Sequence, residues 1–338
     1  MDRDALTRTD RVPHGGTSDR SVADFSANTN PESPAGVTPV YDAARAAARR
    51  YPSDGYAEFR TAAGEYLDCD PQQVVPTAGA LAGIRLVCAI AVDPGDRVLL
   101  PEPSFGEYAR EVRLQGGTPE FVPHDAIFEA DPTGYALAIV CTPNNPTGEL
   151  PGRCEREAFA ARCRSADTPL LVDEAFLDFT DASSLGPQSG VIVARSLTKV
   201  FGFPGLRAGF LVATDEWREA LETARPAWGL ATPAAAVGAH CLECTDFLGR
   251  TRERVASERD RMADRLGSRF TVHPSDAPFL LVDVSSADDV GVDALLETAR
   301  EAGYALRDAR TFRTLESHVR IAVRRSAEND GLLEALDV

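Results

Sequence analysis

The sequence predicts an α/β fold: a three-layer α/β/α large domain around a mostly parallel seven-stranded sheet, with a small α+β domain drawn from both termini. Three observations carry this expectation. Between about residues 74 and 213, seven short apolar runs alternate with segments of helical length, the pattern of a parallel sheet covered on both faces. Several of these runs end in polar clusters, and ligands of open α/β sheets sit outside the carboxyl ends of the strands. Beyond about residue 230 the chain turns helical and then alternates short strands with helices, which suits a second, smaller sheet.

In chain order, residues 1 to 38 read as an irregular arm containing His14-Gly15-Gly16 and Asp24-Phe25-Ser26-Ala27-Asn28-Thr29-Asn30-Pro31. A helix is expected from Pro39 to Arg50, because proline suits a first turn and alanine fills the middle; Tyr51-Pro52 ends it. A second helix covers Tyr56 to Leu67. The seven strands are expected at Val74-Val75, Arg97 to Pro101, Glu120 to Pro123, Tyr135 to Thr142, Pro169 to Asp173, Val191 to Ser196 and Ala208 to Ala213. Helices such as Leu81 to Val92 and Glu107 to Leu114 separate them. A helical stretch then runs to Arg265, followed by a strand from Phe279 to Val284, a helix ending at Ala302, strands from Tyr304 to Arg307 and Val319 to Val323, and a closing helix. The resulting division is 1–50 for the arm and part of the small domain, 51–245 for the large domain, and 246–338 for the rest of the small domain.

Composition narrows the classes of function. With 35 basic and 52 acidic residues in 338, the formal charge is −17, which argues against an electrostatic footprint for nucleic acid or attraction to an anionic membrane. An acidic chain almost without lysine matches a protein adapted to high salt. The charged start, Met1-Asp2-Arg3-Asp4, leads into no apolar run, and the longest apolar stretch, Leu86 to Val92, is too short to span a bilayer. Seven cysteines give no disulfide framework, and a cytoplasmic location is expected. Cys241 and Cys244 have metal-ligand spacing but no second pair, so they are expected to be plain thiols, and no metal site is expected.

Among all the basic residues, Lys199 is the only lysine. An amine can lose its proton and condense with a carbonyl, which a guanidinium cannot. Ser196 and Thr198 precede it and Arg207 follows a Pro-Gly turn, so two hydroxyls and a forked cation can converge on a phosphate. Together these residues point to an aldehyde cofactor with a phosphate handle, pyridoxal 5'-phosphate, held by Lys199. Asp173 ends a buried strand, where a carboxylate can pair with the ring nitrogen; Glu174 is the alternative acid. Asn145, flanked by prolines, suits a donor to the ring oxygen, and Gly79-Ala80 opens a helix whose free N–H groups suit an anion. Phe105 can stack on the ring. Arg320 and Arg324 alternate with Val319, Ile321 and Val323, which places both on one face for an anionic substrate.

These motifs resemble the fold-type-I pyridoxal-phosphate family, the class I/II aminotransferases and their decarboxylase relatives, over nearly the whole chain. Asn-Asn-Pro-Thr-Gly, Asp-Glu-Ala-Phe and Ser-Leu-Thr-Lys carry the likeness. The resemblance implies that Lys199 binds the cofactor covalently, Asp173 meets the ring nitrogen and Asn145 the ring oxygen. It implies further that Gly79, Ala80, Ser196, Thr198 and Arg207 bind the phosphate, and that the protein is a homodimer in which Tyr51 reaches the neighbouring subunit's phosphate. The chain departs from the pattern at Ala80-Leu81-Ala82, where relatives often carry polar residues.

Two branches are similar. Histidinol-phosphate aminotransferases share the motifs but carry tyrosine where this chain has Phe176. Threonine-phosphate decarboxylases, which serve cobalamin biosynthesis, also share the early His-Gly-Gly, the Asp-Phe-Ser-Ala-Asn-x-Asn-Pro segment and Arg325 to Asn329. By this resemblance the expected reaction is decarboxylation of L-threonine O-3-phosphate to (R)-1-amino-2-propanol O-2-phosphate, with amino transfer as the alternative. Either substrate is a small phosphorylated one, for which His14, Asn30 and Arg307 are candidate contacts, with Arg320 or Arg324 at the carboxylate. A regulator with an added DNA-binding domain is not expected at this length, and no Gly-x-Gly-x-x-Gly follows the first strand to suggest a nucleotide enzyme.

Overall fold

The computed structural model describes residues 1–287 and 290–338. All seven expected strands form one sheet, in the spatial order Val74–Thr77, Gly209–Val212, Val191–Ser196, Leu170–Asp173, Leu137–Cys141, Arg97–Glu102 and Thr118–Pro123. Gly209–Val212 is antiparallel to both of its neighbours, and the other strands share one direction. The three central strands are buried along their whole length, which is why their sequences are apolar runs and not alternations. Helices Ala80–Ala91, Glu107–Leu114 and Arg153–Ser165 connect successive strands and bury one face each.

The helical stretch after residue 230 is broken at Glu243-Cys244 into Thr232–Leu242 and Thr245–Leu266. It leads to a four-stranded antiparallel sheet ordered Arg307–Asp308, His318–Ala322, Phe279–Asp283 and Thr271–Val272. The arm is tied to this end of the chain, because Ala23–Asp24 pairs in parallel with Tyr304–Ala305. The single strand expected from Tyr304 to Arg307 is therefore two, interrupted at Leu306: its first part pairs with the arm and its second with His318–Ala322. The helix expected from Pro39 starts at Val37, entered through Gly36 at a φ of 82° that favours glycine.

The strand expected to reach Val323 stops at Ala322. Val323 N–H turns to the carbonyl of Pro278 at 2.8 Å, and Arg324 N–H to the side chain of Asn329 at 2.9 Å. The alternation that would place Arg320 and Arg324 on one face ends there. Among the described residues no helix is long and apolar enough to cross a membrane.

Candidate active site

The polar residues at the strand ends meet around Lys199, on the helical turn Leu197–Val200 that follows the Val191–Ser196 strand. Two cavities of about 230 and 200 Å³ share Lys199, Phe105, Asn145, Phe176 and His14 on their walls. The first is lined further by Ala80, Asp173, Ala175, Ser196, Thr198 and Arg207. Ser26, Asn28, Arg307, Thr311, Phe312 and Arg320 line the second. Lys199 thus stands between one chamber rich in hydroxyls and backbone N–H groups and another rich in guanidinium.

The electrostatics shift the amine toward its neutral form. Burial pushes the Lys199 ammonium down to about 8; the neighbouring cations Arg320 and Arg207 add to the effect, and Asp173 opposes it. Asp173 is itself buried, which raises its pKa. Two hydrogen bonds oppose that rise: the Tyr108 phenol donates to Oδ2 at 2.7 Å, and Ala175 N–H to Oδ1 at 3.0 Å.

The first chamber fits pyridoxal 5'-phosphate. At its far end the Ser196 and Thr198 hydroxyls lie 2.8 Å apart beside Arg207, facing the start of the Ala80–Ala91 helix. A side chain at Gly79, whose φ is 86°, would strike the Arg207 guanidinium, since its Cβ would lie 2.6 Å from Nη2. Gly209 lets the strand pass the same corner: a Cβ there would lie 2.7 Å from Ala80 N. Asp173 and Asn145 line this same chamber, a carboxylate and an amide available to polar atoms of a ring, and Phe105 flanks it, edge-on to Tyr108 at 5.4 Å between centroids.

In the second chamber two buried guanidinium groups face each other across a strand pair, because Arg307 is in register with Arg320. Arg320 donates to the Asn145 side chain and, at 3.0 Å, to the carbonyl of Ser26. Arg307 donates to the carbonyl of Pro13 at 2.6 Å and to Thr311 Oγ1 at 2.8 Å. Every one of these acceptors is neutral, and Nε of each arginine is buried without a partner. Burial pushes Arg320 down to about 9, with Arg307 adding to it, and burial also lowers Arg307.

Two expected contacts lie elsewhere. Asn30 faces away from both chambers: its amide donates to the carbonyl of Val200 at 2.7 Å and its oxygen accepts from Arg254 at 2.6 Å. Its backbone N–H meets the carbonyl of Lys199 at 2.9 Å, so it braces the lysine turn. Gly202, at a φ of 76°, closes this contact, since a Cβ there would lie 2.8 Å from the carbonyl oxygen of Asn30. Arg324 is paired with Glu328 at 2.9 Å and donates to the carbonyl of Asp24, outside both chambers. Tyr51, expected at the neighbouring subunit's phosphate, is 79% exposed on this chain and packs on Trp228.

Sequence reasoning passed over Asn28, Tyr108 and Glu107. Asn28 is the residue of the Asn28-Thr29-Asn30 segment that lines the second chamber, with its buried Oδ1 unpartnered. Glu107 accepts from His14 Nε2 at 2.9 Å. Phe176 packs edge-on against Phe279 at 5.2 Å, and its ring centroid lies 5.7 Å from Lys199 Nζ. Cys244 donates to the carbonyl of His240, and among the described residues no group of three or more His, Cys, Asp or Glu is placed to hold a metal.

The sequence model of the family described as aminotransferase class I and II matches residues 22–336. Histidinol-phosphate aminotransferase 2 of Archaeoglobus fulgidus is 32% identical over 94% of this chain and 93% of its own length. Two solved structures share the fold. L-threonine-O-3-phosphate decarboxylase from Porphyromonas gingivalis has a TM-score of 0.83 at 24% identity and covers 93% of this chain and 98% of its own. Histidinol-phosphate aminotransferase from Sinorhizobium meliloti, in complex with pyridoxal-5'-phosphate, has a TM-score of 0.83 at 21% identity and covers 92% and 88%. With its seven-stranded sheet, its lysine turn and a family match over almost its full length, this chain belongs to the pyridoxal-phosphate-dependent class I and II aminotransferase family.

Proposed function

We propose that this protein decarboxylates a phosphorylated amino acid, with L-threonine O-3-phosphate as the substrate that fits best. The observation that carries the reading is the cross-strand pair Arg307 and Arg320, two buried cations whose hydrogen-bond partners are all neutral. Like charges placed opposite each other in a sheet destabilise it, and a buried charge without a counter-ion is costly. A substrate with a carboxylate next to its amine and a phosphate a few atoms away satisfies both at once. Histidinol phosphate brings only the phosphate, so in amino transfer the second guanidinium is matched only when the dicarboxylate acceptor binds.

In this reading the cofactor, when bound, supplies an electron sink for the α-carbon. Ser196, Thr198, Arg207 and the Ala80 N–H would hold its phosphate, and Asp173 would maintain positive charge at its ring nitrogen. Arg320 receives the substrate carboxylate beside Asn145, while Arg307 and His14 receive the substrate phosphate. The bond between the α-carbon and the carboxylate breaks, carbon dioxide leaves, and Lys199 delivers a proton to the α-carbon in its place.

Amino transfer from histidinol phosphate to 2-oxoglutarate is the second reading, and the names of relatives such as the Archaeoglobus protein back it better than the first. The same arginines can take the histidinol phosphate and then the two carboxylates of 2-oxoglutarate. Incubating the holoenzyme with each substrate, with and without 2-oxoglutarate, separates the two. Carbon dioxide released from threonine phosphate without an acceptor supports decarboxylation. Glutamate formed only with histidinol phosphate overturns it in favour of amino transfer.

A further inference from the structure

We infer that Glu107 is a positioning residue: it fixes the His14 imidazole on the wall of the substrate chamber and so completes, with Arg307, a clamp for the substrate's phosphate. This rests on the reading that the substrate carries a phosphate. The His14 side chain is 48% exposed, whereas that of Glu107 is only 6% exposed, and the two are joined through Nε2 and Oε1 at 2.9 Å. A half-exposed ring on an irregular arm is thereby joined to a buried carboxylate on a helix.

Glu107 is well held. It opens the Glu107–Leu114 helix, where the helix dipole favours a carboxylate, and its Oε2 accepts from Arg110 Nη1 at 3.2 Å. The same Arg110 donates through Nε to the carbonyl of Asp10 at 3.2 Å. Residues one helical turn apart therefore hold the arm at positions 10 and 14. Between those points the carbonyl of Pro13 accepts from Arg307 Nη2 at 2.6 Å, so the arginine of the clamp grips the residue next to its histidine.

The arrangement places His14 and Arg307 on the same wall before any ligand arrives. Phe105 lies 5.8 Å from the His14 ring and flanks the cofactor chamber, so the clamp keeps a fixed position relative to the cofactor as well. With the ring immobilised, phosphate binding does not have to order it, and affinity gains accordingly. Glu107 touches neither chamber, and its effect on substrate passes through His14.

The test is a double-mutant cycle on the holoenzyme with inorganic phosphate as the probe, followed by titration calorimetry, alongside steady-state kinetics on the phosphorylated substrate it turns over. Glu107→Gln weakens phosphate binding about tenfold and raises KM more than it lowers kcat, the mark of lost binding that substrate and transition state share. In the His14→Asn background the same change has no further effect. His14→Asn, at a half-exposed position that tolerates substitution, weakens phosphate binding to a similar extent. Equal losses from Glu107→Gln in both backgrounds, or unchanged phosphate affinity in His14→Asn, overturn the inference. If phosphate binding responds as stated while neither threonine phosphate nor histidinol phosphate is consumed, the clamp stands and the substrate reading falls.

Discussion

The Tyr108 phenol donates a 2.7 Å hydrogen bond to Oδ2 of Asp173, and both groups are buried. Burial works against ionisation of this carboxyl, and Tyr108 is the first of the groups that work for it. Tyr108→Phe therefore raises the Asp173 pKa further. The acid limb of the kcat profile moves to higher pH, and kcat at neutral pH falls about tenfold, the scale of one charge-assisted hydrogen bond. An unchanged acid limb measured by steady-state kinetics would exclude this role for Tyr108.

Lys199 gives a second test with a definite sign. Its folded-state pKa is depressed to about 8 from 10.5, chiefly by burial and then by Arg320. Between those two values the unfolded chain binds more protons than the folded one, so the stability of the apoprotein rises with pH across that window. Lys199→Met removes this slope and stabilises the apoprotein near neutral pH by roughly 3 kcal/mol, read from urea midpoints as a function of pH. Arg320→Gln shifts the pH at which the apoprotein captures pyridoxal phosphate upward, because the amine then stays protonated to higher pH. A shift downward contradicts the arrangement.

Tyr51 tests the proposal that sites are shared between subunits. Its ring packs on Trp228 at 4.6 Å between centroids, and the pair leaves an exposed aromatic patch on this chain. If Tyr51 completes the partner's phosphate site, mixing Lys199→Ala with Tyr51→Phe chains under exchange gives heterodimers with one intact site each. Activity at limiting cofactor then recovers to about a quarter of the native value in a random mixture. Absence of recovery in a preparation shown by sedimentation to contain heterodimers counts against shared sites.

The net charge of −17 leads to a prediction about salt. Carboxylate repulsion across the surface weakens as the Debye length shrinks, so the melting temperature rises with added KCl. A melting temperature that falls steadily with KCl refutes adaptation to high salt.

The sheet was legible because strands buried on both faces must be apolar, and its polar terminators Asn145, Asp173, Ser196 and Lys199 stand out against those runs. Arg320 was legible from alternation, and Arg324 was misplaced by the same rule because the strand ends two residues before it. Asn28 and Asn30 are equivalent to a reader of the extended arm; only the docking of that arm on the lysine turn decides which one faces the chamber of Arg307 and Arg320. Tyr108 and Glu107 read as ordinary residues of a helix start. Their roles come from partners 65 and 93 positions away, Asp173 and His14, which no local pattern announces.

The brace between Asn30 and the turn at Lys199 also bears on how the protein is made. The amine owes its reactivity to being enclosed and to the positive charge of Arg320, which the ribosome adds more than a hundred residues later. An unfolded chain carries an ordinary lysine, protonated more completely and therefore slower toward aldehydes. Completion of the fold therefore raises the amine's reactivity, and an unfinished polypeptide has less of it.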